Sequence, residues 1–391
     1  MKTLCIENVK LVLPGRKILP GRIVVEDGKI RSLGPDAEVP AGATVVQGQG
    51  RLLTPGLIDM HTHGFQTFLY ERGPEDLLAA GRELGRVGTT TILPTVVPNG
   101  ARDWLDKLAR LESCLKDIQG VSIPGFHLEG PFMALRGAAC ELVPGDVGWL
   151  NELVAAAKNR ITVMSISPDT PNIIPVIERL RELGIVAFVT HTCATVAQTQ
   201  AAIDAGARHA THFYDVFPIG PVVDPGVRPA GVVETFLADS RATVDVIPDG
   251  CHVHPVVIQM AIQAKGWQGV SAITDSNIGA GLPPGEYPTP WGFPVRVEPG
   301  RGARNADPAH RGYGTLAGSA LTMDVAMSNL NKWIKLPPAK IWAMGTANPA
   351  RVLGLKAKGN LVAGAEADLV LWDADKMAAL TWVNGELVFE R

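Results

Sequence analysis

Several features that mark specialised classes of protein are missing or scarce in this 391-residue chain. Cysteine is one: Cys5, Cys114, Cys140, Cys193 and Cys251 are odd in number, scattered, and never in a Cys-x-x-Cys pair. That excludes a disulfide framework and a structural zinc knuckle. There is no lysine-arginine run, and the net charge is only −3, so nothing marks a surface for nucleic acid or an anionic membrane. No uninterrupted apolar stretch is long enough to span a bilayer. The opening MKTLCIENVKLVLPGRKILPG lacks the apolar core and small-residue cleavage site of a secretory signal. The expectation is a soluble, cytoplasmic protein whose partner is a small molecule.

Apolar residues reach 46% against 19% charged, enough for a large buried core. The first fifty residues alternate apolar and polar types around the EDGK hairpin signal, and the last segment does the same around Asn384-Gly385. One small β domain built from both termini is the economical reading. We place it at 1–52 and 356–391, with a second domain at 53–355. That middle alternates strand-like runs such as TTILPTVV and IVAFVTHT with helix-like runs such as DWLDKLARLESCLK and IIPVIERLRELG. Eight such units over roughly 250 residues suit a (β/α)8 barrel. A doubly wound open sheet is the competitor, but no glycine-rich phosphate loop follows the first strand. Gly279 to Leu316 breaks the pattern. It is a proline- and glycine-rich stretch with Arg296, Arg301, Arg304, His310 and Arg311, expected as a long loop at the barrel mouth.

The stretch LTPGLIDMHTHG ends in His61 and His63. Residues i and i+2 of a strand face one side, so both imidazoles point the same way at the C-terminal end of a first barrel strand. Alone, the pair could be incidental. However, Glu129 in FHLEGPF, His191 in VTHT, His212 in ATHFYD, His252 and His254 in DGCHVHP, and Asp275 in AITDS also close strand-like runs. Imidazole and carboxylate groups converging on one rim are what a divalent transition metal requires. A carboxylate at Asp275, on the strand that closes the barrel, is placed to take a proton from water; helix capping is its structural alternative. Asp59 shares the face of His61 and could orient an imidazole or simply end the strand. Cys193 and Cys251 read as small buried fillers.

The motifs PGLIDMHTHG, GTTTILPT, HLEGPF, ATHFYD, DGCHVHP, TDS, GTLAGSALTMD, TANPARVLGL and GNLVAGAEADLVLWD, in this order, cover nearly the whole chain. The sequence resembles the amidohydrolase superfamily and, within it, the N-acetylglucosamine-6-phosphate deacetylases. The resemblance implies a TIM barrel with a small β-sandwich domain formed from both termini. It implies that Glu129, His191 and His212 bind a principal metal, that His61 and His63 allow a second, and that the ion is zinc or iron, one or two per chain. It makes Asp275 the general acid/base and His252 a catalytic and substrate contact. Further substrate contacts fall at Ala138, Asp215, Val216, Leu316 and Ala317. A homodimer acting on a small N-acyl compound is implied as well.

This chain departs from that pattern at three positions. Asp215-Val216 replaces the usual Asn-Ala, Ala139 stands where many relatives have histidine, and Val223 stands where an arginine commonly meets the sugar phosphate. Arg228, or Arg301, Arg304 and Arg311 of the long loop, could compensate. The expectation is a metal-dependent N-acyl hydrolase for which a phosphosugar is a poor substrate. Two rivals remain. A cyclic-amide hydrolase of the dihydroorotase or hydantoinase kind would place a lysine at the end of the fourth strand, but ITVMSISPD has none. A non-enzymatic scaffold barrel would tend to lose the ligands that this chain keeps.

Overall fold

The computed structural model describes residues 3–135, 141–218 and 224–391. Ala138, Ala139, Cys140 and Val223 lie outside the described residues.

Eight parallel strands form the central sheet: β1 (Leu57–Thr62), β2 (Thr89–Val96), β3 (Phe126–Glu129), β4 (Ile161–Ile166), β5 (Val186–Val189), β6 (His209–Ala210), β7 (Thr243–Val246) and β8 (Val270–Ala272). They neighbour one another in sequence order, as a (β/α)8 barrel demands. The ring closes just beyond β1 and β8, where Thr62 bridges Ser276 in parallel. There Asp275 N donates to His61 O at 2.9 Å and His63 N to Ser276 O at 2.8 Å. β1 and β2 are buried at every position. Such strands are covered on both faces, which is why they read as continuous runs of apolar and β-branched residues.

The surrounding helices follow from period 3.6. Asp103–Cys114 buries Trp104, Leu108, Leu111 and Cys114, and Ile173–Glu182 buries Ile173, Val176, Ile177 and Leu180. Val196–Ala205 opens on a capping box made by Thr195 and Gln198.

The terminal segments build one seven-stranded sheet. Four strands come from the N-terminal side and three from the C-terminal side, joined where Leu369–Trp372 pairs antiparallel with Thr44–Pro55. The sheet curls on itself, so Ile6, Leu11, Ile23 and Ile30 share a core with Leu369, Leu371 and Trp382.

The segment after β8 is more ordered than its proline and glycine content suggests. Gly285–Tyr287, Val295–Glu298 and Gly302–Asn305 form a three-stranded antiparallel flap. Its own small core joins Val295, Val297, Ala303 and Ala317, with Tyr287, Trp291 and Phe293 packed against them.

Candidate metal centre

A cavity of about 760 Å³ opens at the C-terminal ends of the barrel strands. His63, Glu129, His191, His212, His252 and Asp275 line it, together with Asp215, Val216, Leu316 and Ala317. A second concavity, about 810 Å³, lies on the terminal sheet, and no histidine or cysteine is among its described lining residues.

Glu129, at the end of β3, organises the cluster. Its Oε1 lies 3.3 Å from His191 Nε2 and 3.1 Å from His212 Nε2. Its Oε2 lies 3.3 Å from His63 Nε2 and 3.7 Å from His61 Nε2. Asp275 Oδ1 closes the second group, 3.5 Å from His61 Nε2 and 3.3 Å from His63 Nε2. One carboxylate therefore faces two pairs of imidazoles, one pair on each oxygen. His61, Glu129 and His212 offer ligand atoms within 4.8 Å of one another, and so do His61, His63 and Asp275. Either set could hold a divalent cation.

The backbone aims these groups. His191, His212 and Asp275 have φ values of 43°, 36° and 49°, in the left-handed region. Each follows a barrel strand, where the chain turns sharply. Such positions cost about 1–3 kcal/mol each and persist where the surroundings enforce them.

The two carboxylates favour positive charge here, whether protons on the imidazoles or a cation. Burial opposes charging His63, yet Asp275 and Glu129 outweigh it and push the imidazole up to about 10. His212 rises to about 9 against burial, mainly through Glu129. Burial would raise Glu129, but His61, His191 and His212 hold it well below the usual carboxylate range. Asp275 is likewise drawn down to about 2, against burial, chiefly by its hydrogen bond from His63. His61 Nε2 and His63 Nε2 lie only 3.2 Å apart, so facing lone pairs would repel without a cation or proton between them. His212 Nδ1 is buried with no hydrogen-bond partner among the described residues. The donor set thus fits a divalent metal.

A buried polar layer supports the cluster. His61 Nδ1 lies 2.9 Å from Thr211 Oγ1, and that hydroxyl donates to Asp245 Oδ1 at 3.1 Å. Because the hydroxyl proton goes to Asp245, Thr211 accepts from His61 Nδ1–H. The His61 lone pair is then on Nε2, inside the cluster. Asp245 Oδ1 also accepts His212 N at 2.6 Å, while Oδ2 meets His209 Nε2 at 2.9 Å. Asp59 takes a different part from the imidazole orientation considered above: it accepts His61 N at 3.3 Å and Thr274 Oγ1 at 2.5 Å. His252 is held through Nδ1 by Asp249 Oδ2 at 2.7 Å; burial opposes its charged form, but Asp249 prevails and raises its pKa. His254 instead caps helix Pro255–Lys265, accepting from Val256 N.

Two readings of the sequence need correction. Cys193 is exposed, and Cys251 is half-buried, with its thiol donating to Gly300 O at 3.3 Å, so neither is a fully buried filler. Both sit in loops beyond the strands, where the chain has left the core. The sequence also gave no sign of Thr211, Asp245 or Asp249 as supports. Asp249 had a weak local signal, lying three residues before His252 in a Pro-Asp-Gly turn. The other two face the cluster only once the barrel closes.

The chain matches the Amidohydrolase family model over residues 52–388. It is 30% identical over 380 residues to the N-acetylglucosamine-6-phosphate deacetylase of Lysinibacillus sphaericus, covering 95% of this chain and 94% of that one. It is 29% identical over 385 residues to the N-acetylgalactosamine-6-phosphate deacetylase of Escherichia coli O157:H7, covering 96% and 98%. The Mycobacterium smegmatis N-acetyl-D-glucosamine-6-phosphate deacetylase, solved with N-acetyl-D-glucosamine-6-phosphate, superposes with a TM-score of 0.85 at 29% identity, covering 99% of this chain and 100% of that one. A barrel of this architecture with this cluster at its mouth is a metal-dependent hydrolase of a non-peptide C–N bond. The chain belongs to the amidohydrolase family.

Proposed function

We propose that the protein is an N-deacetylase that cleaves the amide of an N-acyl amino compound, as the deacetylases it resembles do. The observation that carries this is the split of Glu129 between two imidazole pairs, with Asp275 beside one of them. In this reading His191, His212 and Glu129 hold a principal divalent cation, and His61 and His63 provide for a second. When bound, the cation supplies a water that is nucleophilic near neutral pH and polarises the scissile carbonyl. Asp275 accepts a proton from the attacking water and returns it to the departing amine nitrogen. Asp275 is ionised at neutral pH, the form that a proton acceptor needs. His252, fixed by Asp249, donates toward the oxygen that gains charge during attack.

The absence of lysine from β4, together with a bridging role for Glu129, favours this reading over a cyclic-amide hydrolase. The same reading carries zinc or iron, one or two ions per chain, in a cytoplasmic homodimer with domains at 1–52 and 356–391 and at 53–355. Asp215, Val216, Leu316 and Ala317 would contact substrate from the cavity wall.

The test is Asp275→Asn, assayed on N-acyl amines with metal analysis of the same preparation. Turnover should fall by about 10²–10⁴-fold while the metal stays bound. Near-normal turnover removes Asp275 from the chemistry. Loss of metal along with activity recasts it as chiefly a ligand.

A further inference from the structure

Resting on that reading, we propose that the amine half of the substrate carries no phosphate. It instead presents hydroxyl or ammonium donors to an acidic wall and an apolar face to the aromatic flap.

The charge lining the cavity is the first observation. Glu129 and Asp275 belong to the metal cluster. Among the described lining residues that leaves Glu71, Glu141 and Asp215 against Arg311 and the imidazoles of His252 and His310. Asp215 N donates to His212 O at 3.2 Å, and Asp215 lines the same cavity as His212 and His252, which puts it at the reacting end. The described arginines of the flap, and Arg228, have partners of their own, through side chains that are exposed or half-buried. Arg301 pairs with Glu298 at 3.3 Å. Arg304 donates to Arg301 O and Gly314 O, both at 2.8 Å. Arg296 donates to Glu286 at 2.9 Å, and Arg228 pairs with Glu234 at 3.3 Å. A phosphate dianion entering this space would lose water and meet repulsion. A hydroxyl or ammonium donor would gain charge-assisted hydrogen bonds to the same carboxylates.

The flap is the second observation. Its half-buried Trp291 and Phe293 line the same cavity, with ring centroids 6.0 Å apart, and Phe293 packs on His310 at 4.8 Å. This shelf offers a face to a sugar ring or another flat apolar surface. The acidic wall sets the charge of the ligand and the shelf sets its shape. Discrimination against phosphate then comes from repulsion built into the site, which is a common route to specificity.

The experiment uses the full-length, metal-loaded enzyme and measures acetate release. Its substrates are N-acetylglucosamine, a mono-N-acetylated diamino sugar and N-acetylglucosamine-6-phosphate, at low and high salt. The unphosphorylated pair should exceed the phosphosugar in kcat/KM by about tenfold or more, and the order within that pair tells hydroxyl from ammonium recognition. Salt screens repulsion, so kcat/KM for the phosphosugar should rise with ionic strength. Asp215→Asn should narrow the gap by improving the phosphosugar. Trp291→Ala should raise KM for the unphosphorylated substrates more than it lowers kcat. A preference for the phosphosugar, or a phosphosugar rate that falls with salt, overturns the inference. Failure to hydrolyse any of the three is a different result: it sinks the deacetylase reading, and this inference falls with it.

Discussion

Asp245 touches no substrate, yet its replacement should weaken metal binding. Asp245, His209 and Thr211 are all 0% exposed, and the one carboxylate takes hydrogen bonds from His212 N, Thr211 Oγ1 and His209 Nε2. Asp245→Ala strands three buried donors. At about 1–3 kcal/mol for each unsatisfied group, the loss is at least about 3 kcal/mol of folding stability. Asp245→Asn is the sharper probe. Its oxygen can still accept from His212 N and Thr211, while its amide turns toward His209, which can present a lone pair by changing tautomer. What disappears is the negative charge that polarises Thr211 and, through it, His61. Hydrogen bonds to a charged acceptor exceed neutral ones by about 1 kcal/mol each, and supports of this kind typically set metal affinity by about 10–100-fold. A chelator-competition titration of the Asn variant should show a loss in that range with the fold intact by circular dichroism. Unchanged affinity in Asp245→Asn, with unchanged unfolding in Asp245→Ala, would refute the relay from Asp245 to His61.

Three further outcomes follow from other parts of the molecule. Glu129→Gln combined with His191→Ala should abolish tight metal binding, read by elemental analysis after dialysis; full stoichiometry in that variant would show the ligand assignment to be wrong. Lys358, 7% exposed, meets Asp368 at 2.6 Å in the terminal domain, so Lys358→Met should cost about 3–5 kcal/mol in denaturant unfolding by leaving the buried Asp368 without its counter-charge, with only hydrogen bonds from Asn384 N and Thr91 remaining; a loss below about 1 kcal/mol contradicts this. Burial raises the pKa of Asp324 despite hydrogen bonds from Thr322 and Val325 N. A raised folded pKa gives stability that is complete below the unfolded carboxyl value, about 4, and is lost as pH climbs through the folded value. Asp324→Asn should therefore gain on the parent protein as pH rises from about 4 toward neutrality, and a pH-independent difference would refute the assignment.

Sequence alone determined the parts that depend on local periodicity. Eight strands and their helices were legible because β-branched runs and 3.6-residue stripes are written into consecutive residues. His61 and His63 were legible as a pair because a strand repeats every second residue, and the 3.2 Å between their Nε2 atoms is the direct consequence. Glu129, His191, His212 and Asp275 were legible because each closes a strand-like run.

Only the tertiary structure decided what depends on distance across the ring. Glu129 divides its oxygens between two imidazole pairs because β3 stands where residues from β1, β5 and β6 all reach it, a relation no local pattern encodes. Thr211 and Asp245, ordinary strand residues in the sequence, become supports of His61 because barrel closure stacks residues 150 positions apart. The segment after β8 looked irregular, since glycine and proline obscure alternation, yet it folds as a flap because Val295, Val297 and Ala303 find a shared core. The same folding carries Trp291, Phe293 and Arg311 to the cavity and leaves Arg301 and Arg304 bound to the flap itself. Residue type sets which chemistry is available, and closure of the barrel sets which groups meet.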